Sequence, residues 1–182
     1  MSKKYEVFIS VDIEAAGPIP GEYSMLTVGA CLVEDPARMF SCAIKPVNDR
    51  FVPQALEVTG LSMAKLAEEG LDPEMAMRQF EAWIASTLDG QGSPVFVGLN
   101  APFDWSFVNY YFHRFLGRNP FGFTALDIKA VYMGATGCSW HDTRSSEIAR
   151  RVHPNSKGDH NALRDALYQA ELFRLVRSMK LS

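Results

Sequence analysis

The sequence has few cysteines, no low-complexity tract and no apolar run long enough to cross a membrane. Its three cysteines, Cys31, Cys42 and Cys138, are an odd number, so they cannot all pair with one another. We expect three free thiols, including Cys31 and Cys42, although these two lie in neighbouring predicted strands. Because no targeting-type apolar segment precedes the first strand, the sequence favours a reducing, cytoplasmic location with no membrane partner.

An excess of positive charge is also lacking. The 18 Lys and Arg residues are outnumbered by 21 Asp and Glu residues, which gives a net charge of −3. This balance argues against the broad basic surface of a protein that coats nucleic acid. It does not exclude a local site that holds phosphate groups through metal ions.

No internal repeat or linker divides the chain, so residues 1–182 are predicted to form a single domain. An apolar content of 47% is enough for a sizeable core. Three strands in a meander should come first, because short connections favour antiparallel neighbours. Helices and strands then alternate, which predicts an α/β fold with a mixed sheet covered by helices. The predicted strands are 5–12, 25–33, 38–45 and 94–99.

Signals for helices begin after the third predicted strand and continue to the end of the chain. Asp72 before Pro73 is a strong helix start, and Gly90 should close that helix. Residues 126–133 are predicted as a strand or a short helix, since periodicity cannot separate the two. The other predicted helices lie at 53–59, 62–70, from 102 onward, at 145–152 and at 161–179.

Two acids, Asp12 and Glu14, end the first strand before the chain breaks at Gly17. Side chains two apart in a strand point the same way, so both carboxylates share one face beside an apolar core. Like charges held together there repel each other and lose hydration. A divalent cation that prefers oxygen ligands would compensate, although an exposed strand end with two ordinary acids has the same pattern.

Acids also stand near two later helix starts. Asp104 falls in the first turn of a helix after a buried strand, and Asp159 reads as the cap of the last helix; the helix dipole alone favours both positions. Asp165 falls at the border of that helix's apolar face, where an acid is costly without a partner. His160 stands just before the helix, on a loop through Lys157.

Taken together, these residues resemble the DnaQ-like (DEDDh) 3′–5′ exonucleases. The resemblance rests on three motifs in order, Asp-x-Glu at 11–14, Asn-x-x-x-Asp within 97–104 and His-x-x-x-x-Asp at 160–165. The Val-Thr-Gly-Leu-Ser turn at 58–62 is also similar to the family's usual link after the third strand. The likeness spans about residues 7–176.

The resemblance implies a ribonuclease-H-like fold with a central five-stranded mixed sheet, and two divalent ions, Mg²⁺ or Mn²⁺, held by four acids. By analogy, Asp12 bridges both ions, Glu14 and Asp165 bind the ion beside the attacking water, and Asp104 supports the other. His160 would be the general base, a task that suits an imidazole at neutral pH.

The resemblance also indicates where the 3′-terminal nucleotide lies. Candidates to contact it are backbone groups near Ala15 and Ala16, Met25 as a base-stacking wedge, and the motif residues Asn100 and Phe103.

Two departures concern substrate recognition rather than metal binding. The family often has threonine or serine after the Asp-x-Glu, where this chain has Ala15 and Ala16. It often has histidine where this chain has Leu99. Terminal-nucleotide recognition is therefore where this chain is expected to differ from its relatives.

The function implied is metal-dependent release of nucleoside 5′-monophosphates from 3′ ends of single-stranded RNA or DNA. The sequence does not choose between the two nucleic acids, since contacts to the 2′-hydroxyl come from loop geometry. Several small relatives are homodimers, so the resemblance allows a homodimer here, although the sequence does not give the oligomeric state. The alternatives are an oligoribonuclease-like hydrolase of very short oligonucleotides or dinucleotides, and a non-catalytic nucleic-acid-binding module.

A zinc site from Cys138, His141 and His153 is disfavoured, because their spacing matches no closed four-ligand pattern. Trp140 and His141 are expected to pack or to line the substrate cleft. Basic residues before His160 fit either a solvated face or a phosphate path. They are Arg144, Arg150, Arg151 and Lys157.

Overall fold

Five strands form one sheet in the computed structural model, which describes residues 5–90 and 92–179. In chain order they are β1 (Glu6–Ala15), β2 (Met25–Leu32), β3 (Met39–Ala43), β4 (Ser93–Gly98) and β5 (Ala125–Asp127). Their order across the sheet is β3-β2-β1-β4-β5. The β1–β2 and β2–β3 pairs are antiparallel, whereas β1–β4 and β4–β5 are parallel. The predicted meander and five-stranded mixed sheet are confirmed.

Within the described residues, seven α-helices flank the sheet, and a short 3₁₀ helix (Trp140–Thr143) lies between the fifth and sixth. The segment at 126–133 contains both structures that its pattern allowed, a strand end and then a helix. The α-helices are α1 (Pro53–Thr59), α2 (Met63–Glu69), α3 (Pro73–Thr87), α4 (Pro102–Leu116), α5 (Ile128–Thr136), α6 (Ser145–Val152) and α7 (Ala162–Ser178).

Two helix ends differ from the prediction. α3 ends at Thr87 rather than at Gly90, because Leu88 already closes the last turn with its N–H on the Ala85 carbonyl. The cap of α7 is Asn161, whose side chain accepts the Arg164 N–H at 3.1 Å, and not Asp159.

The alternation of β1 divides its residues between two layers of core. Ile9, Val11 and Ile13 face the layer that contains α3 and α4, and all three are at most 4% exposed. The opposite face of β1 meets α7, as the hydrogen bond from α7 to Asp12 shows. Asp12 and Glu14 therefore lie on the α7 side of the sheet, where the strand period places both.

Parallel strands decide where the remaining elements meet. β1, β4 and β5 end at the same edge of the sheet, and α4 and α5 begin directly after β4 and β5. This edge brings together the Asp12–Glu14 pair and the start of α4, which are distant in sequence.

The three cysteines are unpaired, as predicted. Among residues 5–90 and 92–179, no helix combines the length and apolar character that crossing a membrane requires.

Candidate active site

Asp12 lies at the centre of the candidate site, on the face of β1 covered by α7. Its Oδ1 accepts a hydrogen bond of 2.5 Å from Nε2 of Gln169. The other end of the same amide accepts the Leu99 backbone N–H at 2.8 Å. Gln169 therefore links the end of β1 to the end of β4 and fixes the orientation of the Asp12 carboxylate.

Asp104 approaches the same strand from the opposite layer. It lies in the first turn of α4 and is only 5% exposed. Its Oδ1 accepts the backbone N–H of Ile13 at 3.0 Å. Because Ile13 stands between Asp12 and Glu14, this bond holds the third carboxylate beside the first two.

Asp165 and His160 come from α7 and the loop before it. The two Asp165 carboxylate oxygens accept the N–H groups of Asp159 and His160 at 2.8 and 3.1 Å. A Cβ on Gly158 would lie 2.8 Å from Oδ1 of Asp165, so a glycine is needed where this loop crosses the carboxylate. His160 is exposed and has a φ of +61°.

The structure brings the five predicted residues to one place. Ligand atoms of Glu14, His160 and Asp165 all lie within 4.8 Å of one another. Asp12 is close enough to Asp104, Asp165 and Glu14 for each of these charges to act on its carboxyl.

Burial and mutual repulsion make these carboxylates reluctant to ionise. Burial, followed by the charges of Asp104, Asp165 and Glu14, raises the pKa of Asp12 well above its ordinary range. Burial, and then the Asp165 charge, raises the pKa of Glu14 to about 7. Burial also raises the pKa of Asp104 to about 7, against the lowering effect of the Ile13 hydrogen bond.

This donor set fits a divalent cation with a preference for oxygen. None of the ion pairs formed within residues 5–90 and 92–179 includes Asp12, Glu14, Asp104 or Asp165. Partly buried carboxylates without a cationic partner are costly, and hard cations such as Mg²⁺ or Mn²⁺ relieve that cost through carboxylate oxygens. The four acids are thus suited to hold metal.

Three residues that support the site were not foreseen. Gln169 is one helical turn after Asp165, and that spacing was its only signal in the sequence. Asp127 accepts the Asn100 N–H at 3.1 Å and the Lys129 N–H at 2.9 Å, which ties the start of α5 to the β4–α4 junction.

Gly29 is the third of these supporting residues. It pairs with Asp12 across β1 and β2, and a Cβ there would lie 2.3 Å from the backbone of Ala162 and Leu163. Glycine thus lets the start of α7 pack directly on the sheet next to Asp12.

Beside a cleft of about 440 Å³ that lies against Glu14 and His160, two further clefts border the carboxylates. One, of about 480 Å³, is largely apolar and lies against Glu14, Ala15, Val58 and Phe103. The other, of about 560 Å³, lies against Asp12, His160 and Asp165. Ala15 and Phe103, predicted to contact the terminal nucleotide, therefore line the apolar cleft.

The other predicted contact residues differ in their exposure. Met25 is fully buried, with its N–H on the Tyr111 hydroxyl, so the prediction that its side chain stacks on a base is wrong. Ala16 is also fully buried, and its N–H and carbonyl already bond Ser24 and Val52, so its backbone is not free for substrate. Asn100 is exposed at the site edge with a φ of +65°.

The fold and this carboxylate cluster define a nuclease of the DEDDh type, and comparisons with known proteins agree. The family model described as Exonuclease (RNase_T) matches residues 9–173. A 3′-5′ DNA exonuclease of Escherichia coli, Cap18, is 59% identical over 171 residues, which cover 94% of this chain and 91% of that protein.

Solved structures are similar at much lower identity. The nuclease domain of 3′hExo, a DEDDh family member bound to rAMP, has a TM-score of 0.76 and 15% identity over 98% of this chain and 96% of that one. E. coli exonuclease I in complex with a dT13 oligonucleotide has a TM-score of 0.71 and 17% identity; 96% of this chain matches 41% of that one.

The chain belongs to the Exonuclease (RNase_T) family. The ribonuclease-H-like fold and the 3′–5′ exonuclease activity expected from the sequence are confirmed.

Proposed function

We propose that this exonuclease acts on single-stranded DNA and removes one nucleoside 5′-monophosphate at a time from its 3′ end. The observation that carries the chemistry is the cluster of four carboxylates without a cationic partner among the described residues, next to an exposed histidine. The choice of DNA rests on the 59% identical relative, which is named a DNA exonuclease.

Asp12, Glu14, Asp104 and Asp165 would hold two divalent ions, Mg²⁺ or Mn²⁺. When bound, these ions neutralise the phosphate and stabilise negative charge on the leaving oxygen. The chain's contribution is to hold the carboxylates in place. Gln169 and the Ile13 N–H do so for Asp12 and Asp104, and the loop N–H groups do so for Asp165.

His160 would act as the general base. It takes a proton from the water whose oxygen attacks the phosphorus of the terminal phosphodiester. The bond from phosphorus to the O3′ of the preceding nucleotide then breaks. The terminal nucleoside leaves as a 5′-monophosphate, and the shortened strand keeps a 3′-hydroxyl for the next cycle.

The terminal nucleotide would occupy the apolar cleft beside Glu14. Phe103 is 38% exposed and Val58 is 56% exposed, so both present apolar surface to a base in that cleft. Ala15 lines the same cleft and adds no hydroxyl to it, which suits close approach of an apolar base or sugar surface.

One experiment tests substrate and chemistry together. Matched lengths of single-stranded DNA, single-stranded RNA and duplex DNA are digested with Mg²⁺ or Mn²⁺, and products are separated by length. We expect the single-stranded DNA to shorten stepwise from its 3′ end and EDTA to stop the reaction. Faster digestion of RNA, or release of dinucleotides, would contradict the proposal.

The homodimer that the resemblance allows and the cytoplasmic location remain predictions. Sedimentation of the purified chain at several concentrations tests the first of them.

A further inference from the structure

We propose that Trp140 and Lys129 form a subsite for the part of the DNA strand that precedes the cleaved nucleotide, an inference that rests on the proposed function. Trp140 would stack on an unpaired base, and Lys129 would contact a phosphate nearby. The subsite would make the enzyme prefer a strand of several nucleotides over a dinucleotide.

Trp140 and Lys129 already form an exposed pair. Lys129 Nζ lies 4.4 Å from the centre of the Trp140 ring, and Trp140 is 51% exposed at the start of the 3₁₀ helix. An accessible aromatic ring beside a cation is the combination that binds single-stranded nucleic acid. The ring stacks on any base, and the cation attracts the backbone.

The backbone of Lys129 is tied to the site by a series of contacts that starts at Asp12. Gln169 bonds both Asp12 and the Leu99 N–H, and Asp127 bonds the N–H groups of the next residue, Asn100, and of Lys129. Each contact is between backbone or short side-chain groups. The start of α5 is therefore held at a fixed place relative to the carboxylates.

The direction in which the DNA strand would leave the active site favours a subsite near Trp140. The apolar cleft beside Glu14 and Phe103 would take the terminal nucleotide, so the rest of the strand must leave the scissile phosphate on another side. The cleft beside Asp12 and His160 continues to Leu99 and to Ser145 at the start of α6. The 3₁₀ helix that carries Trp140 ends one residue before α6 begins.

Basic residues outside any ion pair lie at this cleft and in the neighbouring segments of the chain. Within the described part of the chain, Lys129, Arg144 and Lys157 enter none of the ion pairs, and Lys157 lines the cleft. Arg150, by contrast, pairs with Glu147. Lys157 is therefore a basic residue at the cleft whose charge no ion pair among the described residues neutralises.

The test compares Trp140→Ala with a matched control, Phe123→Ala. Phe123 is 89% exposed but precedes β5, so it lies at the opposite edge of the sheet from the site. Trp140→Ala should raise the KM for a single-stranded 12-mer roughly 5- to 150-fold, the range of one base–aromatic stack. The effect on a dinucleotide should be much smaller, and Phe123→Ala should change neither substrate.

A second readout does not depend on catalysis. In EDTA, a (dT)12 titration should quench the fluorescence of the wild type, and Trp140→Ala should lose most of the quenching and bind more weakly. Lys129→Gln should flatten the dependence of log affinity on log salt by about 0.7, as expected for one lost phosphate contact on a single strand. Lys65→Gln, an exposed lysine of α2, should leave the slope unchanged.

The outcomes separate this inference from the proposed function. If DNA is bound through Trp140 but never shortened, the subsite stands and the exonuclease proposal on DNA fails. If DNA is shortened and Trp140→Ala matches wild type in KM and quenching, the subsite is wrong. Equal losses on the 12-mer and the dinucleotide would also overturn it, since the change would then act on the cleavage site itself.

Discussion

Asp104 and His160 stand on two sides of one site and are held in opposite ways. Asp104 is 5% exposed in the first turn of α4, with its carboxylate on the Ile13 N–H. His160 is exposed, and only its backbone N–H is bonded, to Asp165. The Asp104 carboxylate is thus fixed by the core, whereas the proposed proton acceptor is placed by its loop and its ring remains accessible.

Removing a fixed carboxylate should have the largest effect. Asp12→Ala should lower exonuclease turnover by roughly 10³-fold or more, because the remaining acids lose the group they are arranged around. Turnover is measured on a 3′-labelled single strand, and circular dichroism checks that the domain stays folded. A folded Asp12→Ala variant with full activity would show that the site is assigned wrongly.

Removing the exposed histidine tests whether His160 acts as the general base. His160→Ala should lower kcat by about 10²- to 10⁴-fold, the usual contribution of a general base, while Mn²⁺ affinity measured by calorimetry changes little. His113→Ala, an exposed histidine in the last turn of α4, is the matched control.

His160 also has a ligand atom within 4.8 Å of ligand atoms of Glu14 and Asp165, which is the geometry of a metal ligand as well. Equal losses of Mn²⁺ affinity and turnover in His160→Ala would make it a metal ligand instead of a base.

Loosening Asp12 without removing it should have a smaller effect. Gln169→Leu deletes the donor to Asp12 and the acceptor for the Leu99 N–H. Groups that orient metal ligands typically contribute 10- to 100-fold, so activity should fall by about that factor and Mn²⁺ affinity with it. Gln79→Leu, on the exposed face of α3, is the control. Unchanged activity in Gln169→Leu would mean that the core fixes Asp12 by itself.

The smallest effect is on stability and depends on pH. The pKa of Asp104 is raised to about 7, so the folded metal-free protein favours the protonated carboxyl. That preference stabilises the fold below the unfolded pKa of about 4 and is lost as the pH rises through 7. In EDTA, Asp104→Asn should therefore be more stable than wild type at pH 8, and its advantage should be smaller at pH 5.

Thermal unfolding of both proteins across this range measures the difference. One pKa unit corresponds to about 1.4 kcal/mol, so the gain at pH 8 is at most a few kcal/mol. Mn²⁺ should raise the Tm of wild type more at pH 8 than at pH 5. A gain for Asp104→Asn that is larger at pH 5 would contradict the sign of the raised pKa.

Much of the fold was readable from local patterns. The strand period placed Asp12 and Glu14 on one face, and Pro102 and the apolar spacing after it placed Asp104 in a first helical turn. Where local signals were weaker, the predicted helix ends were wrong by a few residues. Gly90 did not close α3, and Asn161 rather than Asp159 capped α7, because several nearby residues can make the same cap.

The sequence alone marked five candidate residues, because three motifs in order resemble the DEDDh exonucleases and strand and helix periods, which are local, place each residue at an element end. Only the tertiary structure decided what holds them. Gln169 bonds Asp12 across 157 positions, and Gly29 admits α7 beside it. The burial of Met25 likewise depends on which face of β2 meets the core. Such contacts join elements that are remote in sequence, and no periodicity within one element specifies its partner.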